Sequence, residues 1–122
     1  MYKCQLKCKC IRRTAMENGT YLYDLQMTTP LGVRHGSLEL IVWKNFLNGY
    51  LSMFTRTIPI REGMCDGSNV SFRGDMKTLM KMIPYQANGQ ISRNKLFLDF
   101  TTETCRYPAT GTLVKSSKEK EV

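Results

Sequence analysis

Five glycines occupy strand positions that alternation reserves for core side chains. In Arg34-His35-Gly36-Ser37-Leu38-Glu39-Leu40, Gly36 shares parity with Leu38 and Leu40. The same step recurs as Gly49-x-Leu51, Gly74-x-Met76, Gly89-x-Ile91 and Gly111-x-Leu113. Successive side chains of a strand point to opposite faces, so each glycine faces the side that buries leucine, isoleucine or methionine. One such glycine marks a bulge, whereas five in successive strands imply a bend repeated around a sheet. A small sheet closes on itself only by coiling strongly, and inward glycines relieve the crowding at the bends. Asn48-Gly49 and Asn88-Gly89 also fit two-residue hairpin turns. The strand reading is preferred because it preserves alternation on both sides.

The rest of the chain alternates in the same way between turns. Tyr21, Tyr23, Leu25 and Met27 share a face, and Thr28-Thr29-Pro30-Leu31-Gly32 ends their strand. Further strands carry Leu38, Leu40 and Val42; Leu47, Leu51 and Met53; Ile58 and Ile60; Val70 and Phe72; Tyr85, Ala87 and Ile91; Leu96, Leu98 and Phe100; and Tyr107, Ala109 and Leu113. Turns are expected at Lys44-Asn45, at Cys65-Asp66-Gly67-Ser68 and at Ser92-Arg93-Asn94. Helical spacing occurs only at Asp75 to Ile83, through Met76, Leu79, Met80 and Ile83. The prediction is an all-β, single antiparallel up-and-down β-barrel of eight or nine strands, with at most one short helix near 75–83. The chain's 122 residues suit one core. The barrel domain is assigned to residues 1–114, beginning with a basic strand at 2–10, and 115–122 is read as a flexible charged tail.

This pattern resembles the calycin type of barrel, that is, the avidin-like and lipocalin-like proteins. More narrowly, it resembles small bacterial single-domain proteins of unassigned function. The matching residues are Thr29-Pro30-Leu31-Gly32, the five Gly-x-apolar steps and Asp66-Gly67-Ser68-Asn69-Val70-Ser71-Phe72-Arg73-Gly74, within residues 20–114. The strand at 2–10 lies outside the pattern, and a second Thr-Pro-x-Gly turn has become Thr78-Leu79-Met80-Lys81. The resemblance implies a barrel and at most a pocket. No position matches the biotin-binding residues of avidins.

Charge is concentrated at one end of the chain. Lys3, Lys7, Lys9, Arg12 and Arg13 give +5 with no acid among residues 1–13, against +3 over the remaining residues. That describes a basic edge rather than an all-round nucleic-acid surface. Cys4, Cys8 and Cys10 raise a metal or redox cluster as one reading, but they contain no Cys-x-x-Cys pair and the single histidine is the distant His35. The competing reading is a period-two strand, with Tyr2, Leu6 and the cysteines on one face and lysines on the other. No cofactor or metal is assigned. The N-terminus lacks the uninterrupted apolar block of a secretory signal and no run is long enough to span a membrane, so a cytoplasmic, non-membrane protein with reduced thiols is expected. The sequons at Asn18 and Asn69 carry no weight there.

No catalytic motif is present, and the outward parity of His35, Asp24, Glu39 and Asp99 assigns them to solvated faces, so no enzyme is expected. The leading expectation is non-enzymatic binding of a small apolar or aromatic ligand inside the barrel. Tyr21, Tyr23, Phe72, Tyr85 and Phe100 point inward, and Arg34 shares the inward parity near a strand end, where it would meet an anionic group at the mouth. Inward Tyr107, Met27, Met53 and Met76 complete the lining. Ordinary core packing is the competing reading for each. The alternative function is an adaptor that binds an acidic protein or nucleic acid through the basic first strand, nucleic acid being the less favoured partner. A third reading takes outward Trp43, Tyr50, Phe54 and Phe97 as a surface for homo-oligomerisation through barrel walls.

Overall fold

The computed structural model describes residues 17–77 and 80–118. Among them are nine strands and no helix: β1 (Gly19–Thr29), β2 (Gly32–Trp43), β3 (Phe46–Met53), β4 (Arg56–Pro59), β5 (Arg61–Asp66), β6 (Asn69–Lys77), β7 (Met82–Ser92), β8 (Lys95–Thr101) and β9 (Arg106–Lys118). All pairings are antiparallel. β1 pairs with β2 on one edge and β9 on the other, and β2 also pairs with β3, which closes the ring. The result is an eight-stranded up-and-down barrel with one extra strand, because β4 and β5 share the outer edge of β3. Closure removes the exposed edges that an open sheet of this size would present.

Alternation places the core as expected. Tyr23, Leu25, Met27, Leu38, Leu40, Val42, Leu47, Phe72, Leu96 and Phe100 are buried from five different strands. The inward glycines act by making room. A side chain at Gly36, opposite Leu25 on β1, would collide with the Met53 sulfur and the Ser52 carbonyl. Gly49 adopts φ 145°, a conformation closed to most L-residues, and a Cβ there would strike the Glu39 carbonyl of β2. Both Asn48-Gly49 and Asn88-Gly89 lie within strands rather than at hairpin tips. Two-residue connections fall elsewhere. At Phe54-Thr55 both residues have positive φ (54° and 62°), the handedness that matches strand twist.

At most one short helix is expected near 75–83, and none is present among the described residues: Met76 and Ile83 are cross-strand partners of β6 and β7, and Met80 is exposed. Two expectations are corrected. The segment read as a tail is partly strand, since β9 continues through Lys118. The pairing of β1 with β9 shifts at Leu22/Tyr23, where Tyr23 faces Leu113 and Leu22 faces Lys115, leaving Val114 as the extra residue of a bulge. That residue reverses the parity, which is why the core pattern stops at Leu113 while backbone pairing goes on. Phe54 is not on the outer wall but packs against the core. The basic strand 2–10, with Cys4, Cys8 and Cys10, lies outside the described residues.

Candidate functional site

Five of the six candidate residues enter the barrel interior. Phe72 of β6, Tyr85 of β7 and Phe100 of β8 form one aromatic cluster in edge-to-face contact, with ring centroids 6.1 Å apart for Phe72 with either partner and 5.1 Å for Tyr85 with Phe100. Phe72 and Phe100 both pair with Ala87 of β7, whose small side chain leaves room for the two rings to meet each other and Tyr85 two residues along. Tyr21 and Tyr23 enter from β1. Arg34 is separate: it lies opposite Met27 on the inward register but is exposed at the rim.

The three buried tyrosines differ in what their hydroxyls meet. Tyr21 donates to the Glu17 carbonyl at 2.6 Å. Tyr23 and Tyr85 are 1% and 5% exposed, and among the described residues no hydrogen bond reaches either hydroxyl. Buried polar groups are ordinarily satisfied, and leaving one unpaired costs on the order of 1–3 kcal/mol. Burial pushes the Tyr23 phenol up to about 12, with Tyr21 adding to the effect. Burial also raises Tyr85 strongly, Asp75 adding to the shift and Arg61 opposing it.

Those two charges locate Tyr85 at a break in the wall. The ladder between β5 and β6 ends at Arg61 and Arg73, and Gly74–Lys77 then pair only with β7 among the described residues. Arg61 and Asp75 bridge the break at 3.5 Å. Tyr85 faces Gly74, and a Cβ at Gly74 would lie 2.7 Å from the phenol oxygen. The same end of the barrel carries the β1–β2 and β3–β4 turns. Near it sit buried Met27, Met53 and Met76, with half-buried Ile83 and Tyr107.

The residues set aside as solvated remain on the outer wall: His35 and Asp24 are exposed, and Glu39 and Asp99 are half-buried. Asp99 is held by Arg106 at 3.1 Å. Among the described residues no group of three or more His, Cys, Asp or Glu is placed to hold a metal ion. No helix among them is long and apolar enough to cross a membrane.

The two described cysteines have opposite surroundings. Cys65 is buried, and burial raises its thiol, whereas Cys105 is exposed and lowered by hydrogen bonds from the Thr104 and then the Tyr107 hydroxyl. Thiolate character and access set alkylation rates. Iodoacetamide at neutral pH, read by peptide mass mapping, is therefore expected to modify Cys105 well before Cys65 in the native protein. Equal rates at the two positions would contradict this assignment.

Sequence reasoning found the inward rings but not which hydroxyls lack partners, because that depends on neighbours from other strands. No known protein family matches the chain, and no curated protein matches it.

Proposed function

We propose that the protein is a non-catalytic binding barrel whose interior takes a small aromatic or apolar molecule carrying a hydrogen-bonding group. The observation that carries this reading is the pair of buried phenols, Tyr23 and Tyr85, whose hydroxyls make no hydrogen bond among the described residues. Such hydroxyls orient a ligand in an otherwise apolar site at little conformational cost. The interior is lined by buried side chains, among them Tyr23, Leu25, Phe72 and Phe100, so a ligand is accommodated by rearrangement among them. Met27, Met53 and Met76 are suited to it, being unbranched and adaptable. The break where the β5–β6 ladder ends, at the Arg61–Asp75 pair, offers a route, and Arg34 stands at the rim for an anionic substituent. The resemblance to calycin barrels is in keeping with an interior site.

Two probes of similar shape separate this reading from plain core packing. In an NMR titration, acetophenone, which carries a carbonyl acceptor, is expected to perturb the amides around Tyr23 and Tyr85 and to bind about tenfold more tightly than ethylbenzene, which has none. Absence of interior perturbation by either probe would reject the proposal.

A second reading is favoured by one feature of the outer wall. Trp43, Phe46 and Met64 lie directly opposite one another across β2, β3 and β5, each more than half exposed. A contiguous apolar row of this kind suits self-association through barrel walls. Sedimentation at micromolar concentration is expected to show a dimer that Trp43→Ser shifts to monomer. A wild-type chain that sediments as a monomer at that concentration removes this reading.

A further inference from the structure

Outside the barrel, the bends leave a trough in the wall formed by β1, β9, β8 and β7. Its floor is the row Gly89, Leu98 and Ala109, which are directly paired across the three strands. Gly89 and Ala109 contribute almost no side chain to the interior, so the wall sinks inward there and the outer surface becomes concave. The space is about 430 Å³, within the range of small-ligand sites.

The groups around this floor share one chemistry. Phe97 stands on one flank, 49% exposed, with Thr110 opposite it on β9 and Gln26 beyond on β1. Asn88 and Pro108 lie on the other flank. The side chains of Gln26, Asn88 and Thr110 make no hydrogen bond among the described residues. Gln90, also on the rim, donates to Asn69 at 3.1 Å and keeps its acceptor oxygen. The one carboxylate, Asp99, is neutralised by Arg106. The trough is thus electrically balanced, with an aromatic face flanked by free amides and hydroxyls.

We infer that this trough is a binding site for a neutral saccharide. A pyranose presents an apolar face of C–H groups, which packs on an aromatic ring, and an equatorial rim of vicinal hydroxyls. A primary amide offers a donor and an acceptor side by side, which matches two adjacent hydroxyls. A charged ligand finds no uncompensated partner here, and a purely apolar one would leave the amides unpaired. The site is independent of the barrel interior.

The test uses cellobiose, maltose and chitobiose at millimolar concentration, followed by amide chemical shifts of the whole chain. At least one sugar is expected to bind saturably, with shifts confined to residues 88–90, 97–99, 108–110 and neighbouring β1. Phe97→Ala, on an exposed position whose fold the same spectrum verifies, is expected to weaken binding by about tenfold, and Phe97→Tyr to restore it. Failure of all three sugars to shift these amides overturns the inference. So does binding that Phe97→Ala leaves unchanged, or perturbation of the trough by an extended neutral peptide but by none of the sugars.

Discussion

Replacing Tyr23 by phenylalanine is expected to stabilise the ligand-free protein, by about 1–2 kcal/mol, while weakening binding of a carbonyl-bearing ligand. The substitution keeps the ring that packs in the core and removes a buried hydroxyl that has no hydrogen-bond partner among the described residues. Tyr85→Phe is expected to act in the same direction. Core truncations ordinarily destabilise, so a gain in stability coupled to a loss of affinity is a signature that simple packing does not produce. Denaturant unfolding gives the first quantity and probe titration the second. A variant that loses stability would mean that the hydroxyl is satisfied within the protein.

The pH dependence follows from the same burial. Tyr23 holds its proton in the folded state up to about pH 12, whereas the unfolded chain releases it near the ordinary value of 10. Below pH 10 both states are neutral at this position, and its contribution is fully present. As pH rises from 10 towards 12 the unfolded state binds fewer protons than the folded one, so stability falls. Tyr23→Phe is expected to flatten that fall, and an unchanged alkaline slope would contradict the assignment.

Gly49→Ala is expected to cost about 3–5 kcal/mol, enough to remove a large part of the stability of a domain of this size. Two effects add: a backbone at φ 145° disfavours any side chain, and the new Cβ would meet the Glu39 carbonyl on the neighbouring strand. Gly32 supplies the control. Its φ is 114°, but nothing lies within 4 Å of the position of an added Cβ, so Gly32→Ala carries only the backbone cost of about 1–2 kcal/mol. The difference between their unfolding midpoints measures the crowding that closes the barrel. Equal costs would show that the close approach of β2 and β3 at Gly49 is not tight.

Much of the fold is legible in the sequence because alternation is a local property. The inward register of Tyr23, Leu25 and Met27, or of Leu96, Leu98 and Phe100, can be read without knowing their partners. The glycine steps are legible for the same reason, and together they imply closure. Features that depend on two distant strands are not. The bulge at Val114 is set by the pairing of β9 with β1, and nothing in Thr112-Leu113-Val114-Lys115 announces it. Met76 and Ile83 fit a helix face as well as a hairpin pair, since both place apolar residues seven apart.

The candidate interior site divides on the same line. Alternation alone puts Phe72, Tyr85 and Phe100 on the inward face, and the register of β6, β7 and β8, with small Ala87 between Phe72 and Phe100, brings them into contact. It assigns Arg34 the right parity but not its depth, and at the rim parity does not mean burial. Which hydroxyls lack partners among the described residues depends on neighbours from other strands, which alternation does not specify. The outer trough is not legible in the sequence, because Gln26, Asn88 and Thr110, taken one at a time, look like any solvated strand face. Only the small inward residues beneath them distinguish it.

A crystal structure of the protein grown with acetophenone tests the central claim most directly. The account predicts the ligand inside the ring of strands, its carbonyl oxygen accepting a hydrogen bond from the Tyr23 or Tyr85 hydroxyl, with the side chains of Met27, Met53 or Met76 displaced to admit it. Acetophenone found only on the outer wall, with both hydroxyls bonded to protein groups, would contradict it.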